Sequence, residues 1–180
     1  MAYTNTKVHL GNHIWFAPYA SGTSDADNKP ATGSFYKVGP CTNVTVTPNV
    51  DSRIVRGPNS GINQVEDVIP VSNDLSVSAH IVSVSQLFWK LLWQSALGSA
   101  ETQYNPGEAA SGEAPGLVKA WLKIQQYDQT NTLFNSVDLW CALTIGGGVS
   151  FGESPIEFDL NGQVMLSTLN TGALATAPLT

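Results

Sequence analysis

Charge is scarce in this sequence. Asp, Glu, Lys and Arg make up 12% of its 180 residues, against about 25% in an average soluble domain. Cations are scarcest: eight Lys and Arg stand against fourteen Asp and Glu, a net of −6. Clustered cations are what displace counterions from phosphate, so a general nucleic-acid-binding surface is excluded. Cysteine is limited to Cys41 and Cys141, too few for a disulfide framework or a thiolate metal cage. No apolar run approaches the ~18 residues that span a bilayer, so no membrane role is expected. The N-terminal Met1-Ala2-Tyr3-Thr4-Asn5-Thr6-Lys7 has no secretory-type apolar stretch, and reduced thiols in a cytosol are the expectation.

What is present is apolar and small: 42% hydrophobic residues, with Ser, Thr, Asn, Gly and Ala in place of charge. That balance, on a length suited to one domain over residues 1–180, favours a β-rich shell. Val8 to Ala17 reads as a strand bent at Gly11 and ended by Pro18, and residues 20–33 read as an exposed loop. Phe35–Val38 and Val44–Thr47 are short strands. Two β-branched runs around Gly57-Pro58-Asn59-Ser60-Gly61 make a long hairpin arm of about residues 49–72. The arm's apolar content is too low to bury both faces, so it is a candidate to reach another surface. Leu75, Val77, Ala79 and Ile81 alternate with Ser76, Ser78 and His80, a half-buried strand. A second alternating pair runs through Val118–Ile124 and Val137–Ile145. A last pair is expected to turn at Asn161-Gly162, a type I′ signal.

One helix is expected, over about residues 84–97, with Ser83 and Gln86 as a capping box and Gly98 as the C-terminal cap. A step of 100° per residue puts Gln86, Lys90 and Gln94 on a narrow polar stripe. Leu, Phe, Trp and Ala cover the remaining arc, about twice what packing on one sheet requires. Trp89, Trp93 and Leu97 are therefore candidates to meet another subunit, since aromatic anchors are enriched at interfaces. After the helix, residues 99–116 read as a mobile surface loop. The fold class is mainly β, a β-sandwich or rolled barrel with one flanking helix.

Catalytic and metal signals do not hold up. Gly148-Val149-Ser150-Phe151-Gly152 matches a nucleophile elbow, but a strand pattern follows it and His9, His13 and His80 all precede it. Glu157–Gly162 resembles the start of a calcium loop, yet Thr168 stands where the bidentate acid belongs. His9 and His13 have helical ligand spacing inside a strand-like segment. No enzyme activity, cofactor or metal is expected. A sugar-binding reading remains, with Trp15, Trp121 or Trp140 stacking on a ring.

End to end, the order of elements resembles the major tail tube protein of long-tailed bacteriophages. The resemblance rests on Leu10-Gly11-Asn12-His13-Ile14-Trp15-Phe16, the entry Tyr36-Lys37-Val38-Gly39 and the 49–72 arm. It continues with Leu75–Ile81 running into a helix ending Ala96-Leu97-Gly98 and a C-terminal β half. It implies a structural virion protein made in the bacterial host cytoplasm and located in the tail. Copies would form rings, hexameric in that family, stacked into a tube that DNA passes through without specific binding. The implied partners are further copies of the chain and the tape-measure, tail-tip and terminator proteins. The arm would reach the adjacent ring, with Arg53 and Arg56 pairing there with acids. The cation-free stretch after Lys123 would line an acidic lumen through Asp128, Asp138, Glu153, Glu157 and Asp159, since such a wall repels phosphate. The alternatives are a virion decoration or carbohydrate-binding β-sandwich, a tail terminator or a secretion-system tube subunit.

Overall fold

The computed structural model describes residues 9–59, 62–82, 86–93, 118–128, 133–149 and 156–174. The fold is mainly β with one short helix. Seven strands, β1 (His9–Pro18), β2 (Tyr36–Asn59), β3 (Ile62–Ile81), β4 (Val118–Asp128), β5 (Leu133–Gly146), β6 (Phe158–Val164) and β7 (Thr171–Leu174), accompany α1 (Gln86–Trp93). All of the pairings are antiparallel. In the order β4-β1-β2-β3-β6-β5 the last strand pairs back onto the first. These six strands close into a barrel, and closure removes edges from the body of the sheet. β7 lies along β5 through residues 135–138, on the edge that β6 occupies further along through residues 141–146.

Alternation fills the barrel, because successive side chains leave a strand on opposite faces. Ile14 and Phe16, then Val77, Ala79 and Ile81, then Ala120, Leu122 and Ile124, and Leu139, Cys141 and Leu143 are all buried in one cluster. Phe88 and Leu91 of α1 join it, with the Phe88 ring 5.2 Å from that of Phe158. The helix thus contributes to the core of its own barrel. Ser83, Gly98 and residues 94–97 lie outside the described residues, as do the Gln86 side chain and the 99–116 loop.

Two sequence expectations fail here. Asn161-Gly162 is not a turn; both residues sit inside β6, paired with β3 on one side and β5 on the other. Gly162 allows close approach, since a Cβ there would stand 3.0 Å from Leu143 Cδ2 and that side chain would have to give. Lys90 is not on a solvent stripe but fully buried. The apolar arc is therefore interrupted by a charged side chain within the packed structure.

A second, smaller cluster lies on the outer face of β4 and β5. Trp121 and Trp140 pack there with ring centres 5.7 Å apart and planes tilted by 43°, beside Ala17 and Phe35. The loop of residues 19–35 covers them. Asp25 organises its turn by accepting from the Gly22 and Asp27 amides and from Asn28 Nδ2. The Asn28 bond first, with Gly22 adding, holds the Asp25 carboxyl below its ordinary value. Trp121 Nε1 donates to the Asp25 carbonyl at 2.8 Å, and Ser167 Oγ donates to that of Ala26.

Candidate functional site: a projecting ribbon and a polar wall

β2 pairs with β1 only as far as Cys41, and β3 pairs with β6 only from Ser76 onward. Past those points, among the described residues, the two strands pair only with each other. Their ladder runs from Pro48 opposite Leu75 to Asn59 opposite Ile62. At about 3.3 Å per residue, this two-stranded ribbon projects roughly 40 Å from the barrel. Asn43, in the left-handed region at φ 52°, marks the bulge at its base.

The register makes the ribbon amphipathic. Cross-strand partners share a face, and the core-side face continues outward through Val46, Pro48, Val50, Ser52, Ile54 and Arg56 of β2. Opposite them stand Val77, Leu75, Asn73, Pro70, Val68 and Val65 of β3. Two irregularities in the ladder leave Val71 and Glu66 without opposite partners. A single extra residue would turn every later β3 side chain to the other face, and the second one restores the parity. Val50, Ile54, Val65 and Val68 are each 51–54% exposed. The reverse face is mostly polar, with Thr45, Thr47, Asn49, Asp51, Arg53 and Val55 opposite Ser78, Ser76, Asp74, Ser72, Ile69 and Asp67. Arg53 and Arg56 are both exposed on this ribbon.

The second feature is the outer wall of β2, β3, β6 and β5. Thr45, Ser78, Asn161 and Thr144 form one row across four strands, each opposite the next, and all are exposed. Ser76 and Gln163 form the next row. His80, Asp159, Gly146 and Gly147 line the end of the wall, around a trough of about 840 Å³. Asp159 and Glu157 are exposed acids flanking His80, and among the described residues no Lys or Arg lines this trough. His80 Nδ1 is 2.8 Å from Asp159 Oδ1, and Nε2 is 3.3 Å from Glu157 Oε2.

Other candidate residues are placed differently. Asp138, expected on an acidic lumen, is buried on the outer cluster, 3.1 Å from Lys29 Nζ and 3.7 Å from Lys123 Nζ. Its charge is answered inside the fold, with Lys123 also 4.6 Å from the Phe35 ring. Asp128 ends β4, and its side chain, with Glu153, Ser150 and Leu97, lies outside the described residues. Trp93 is 40% exposed, whereas Trp89 packs partly buried against the core. Trp121 and Trp140 are buried, so neither can stack on a sugar. His13 meets Tyr127 edge-on at 5.3 Å, and burial first, then Lys37, hold it below its ordinary pKa. Among the described residues no group of three metal-ligating side chains converges, and no helix is long and apolar enough to cross a membrane.

The exposed ribbon residues were missed as a face because the two ladder irregularities break the period-2 pattern. The His80–Asp159 pair spans 79 residues, and no local signal announces it.

No family model and no curated protein matches the sequence. Several chains of solved structures are similar. A chain of the anti-feeding prophage baseplate, determined by cryo-EM and 6-fold symmetrised, superposes with a TM-score of 0.45 and 11% identity over 92% of this chain and 99% of that one.

Proposed function

We propose that this protein is a structural, non-enzymatic subunit of a phage-tail-like particle, self-assembling into rings that stack as a tube for DNA. The observation that carries the reading is the ribbon. A two-stranded hairpin is marginal in water by itself, and this one extends roughly 40 Å with its aliphatic face uncovered. Such a face is a liability for a monomer and an asset in an assembly, where another copy covers it. Trp93 adds an exposed aromatic on the helix.

The polar wall suits a tube lumen. Its hydroxyls and amides, bordered by Glu157 and Asp159, offer phosphate no cluster of fixed cations, so DNA would pass without being trapped. Six copies per ring, with tape-measure, tail-tip and terminator proteins at the ends, complete the proposal. Negative-stain microscopy of the purified chain tests it. Rings or tubes support the reading, and a strict monomer at high concentration refutes it.

A further inference from the structure

We propose that His80 is a proton-operated clasp between β3 and β6. As imidazolium it donates to Asp159 and Glu157 together and fastens the start of β6 to the barrel rim. As neutral imidazole it keeps one carboxylate and releases the other. The geometry requires this asymmetry. The two ring nitrogens lie 2.8 Å and 3.3 Å from different carboxylates, and only the charged ring carries a proton on both. In the neutral ring the shorter Nδ1 bond to Asp159 persists, and the Nε2 lone pair then faces the Glu157 carboxylate. Glu157 stands just ahead of β6, so its release frees the approach to that strand.

Among the described residues no other titratable side chain lines the trough. β2 presents Asn43 and Thr45, β3 adds Ser78, β5 presents Gly146 and Gly147, and β6 adds Asn161. Among the described residues the clasp consists of these three groups, and their summed charge falls from −1 to −2 when the ring loses its proton. The Asp159 hydrogen bond first raises the His80 pKa above its ordinary 6.5; desolvation opposes it, and the Glu157 hydrogen bond and the charges of both carboxylates add to the rise. A raised folded-state pKa gives stability that is complete below 6.5 and is lost as pH climbs through the raised value. The groups are solvent-exposed, so salt weakens the effect.

The clasp does not depend on the assembly reading, and its test uses the full chain. NMR titration of the imidazole should place the His80 midpoint above 6.5. Glu157→Gln and Asp159→Asn should each move that midpoint down, the second further. Melting temperatures of wild type and His80→Gln, followed from pH 6 to pH 9, should differ at the acid end and converge at the alkaline end. A midpoint at or below 6.5, or a wild-type advantage that is constant with pH, overturns the proposal. Should His80→Gln not fold, the midpoints in the two carboxylate variants decide the matter. Midpoints unmoved by either substitution also overturn it.

Discussion

Ile54 of β2 and Val68 of β3 stand opposite one another on the core-side face of the ribbon, yet each is half exposed. The same face that packs Val77 into the barrel runs on along the ribbon, and none of the described residues of the barrel body covers it. Backbone hydrogen bonds held by two strands alone open easily. Amide hydrogen exchange should therefore be fast between residues 48 and 75 in unassembled protein and slow in β4 and β5. Assembly should protect the ribbon. Equal protection of ribbon and barrel in a proven monomer would contradict this.

The helix divides its aromatic residues between two tasks. Phe88 is fully buried against Phe158, while Trp93 is 40% exposed. Phe88→Ala should cost about 3–5 kcal/mol of stability through the cavity it leaves. Trp93→Ala should cost about 0.5 kcal/mol or less and act instead on assembly. Denaturant unfolding of the two variants separates these effects; equal losses would mean that Trp93 is a core residue.

Burial pushes the Cys41 thiol up to about 11 and the Cys141 thiol up to about 12. The thiolate is the reactive form, so neither should react with a thiol-directed reagent at pH 8 until the protein is unfolded. Because both folded-state values lie above the ordinary 9.0, the native state holds these protons longer. Stability should fall as pH rises past that point. Rapid labelling of the native protein would contradict the burial.

Asp138 serves two lysines, Lys29 from the covering loop and Lys123 from β4. Asp138→Ala would leave Lys123, only 11% exposed, without its carboxylate. An uncompensated buried charge costs about 3 kcal/mol. The expected result is a lowered denaturation midpoint with loosening of residues 19–35, read by limited proteolysis. Double substitution of Asp138→Ala with Lys123→Met should recover part of the loss.

The mainly β class was legible because alternation is a local signal. Leu75 to Ile81 and Val118 to Ile124 show it directly, and the core uses those same side chains. Asn161-Gly162 misled because the dipeptide that favours a tight turn also suits a strand where a neighbour presses close, here Leu143. Lys90 misled because a helical step gives angular position and not depth. The ribbon's apolar face was hidden by the two unpaired β3 residues, whose effect on parity shows only once the register is known. Asp138 carried no mark of its partners, which come from residues 29 and 123. Electrostatic pairing across the fold has no periodicity to read.

The central claim, that the ribbon's uncovered face joins copies of the chain, is tested most directly by sedimentation and microscopy of Ile54→Asp/Val68→Asp beside wild type. The account predicts rings or tubes from wild type, monomers from the variant, and melting temperatures that agree because both sites lie outside the barrel core. Unchanged assembly of a correctly folded variant would contradict it.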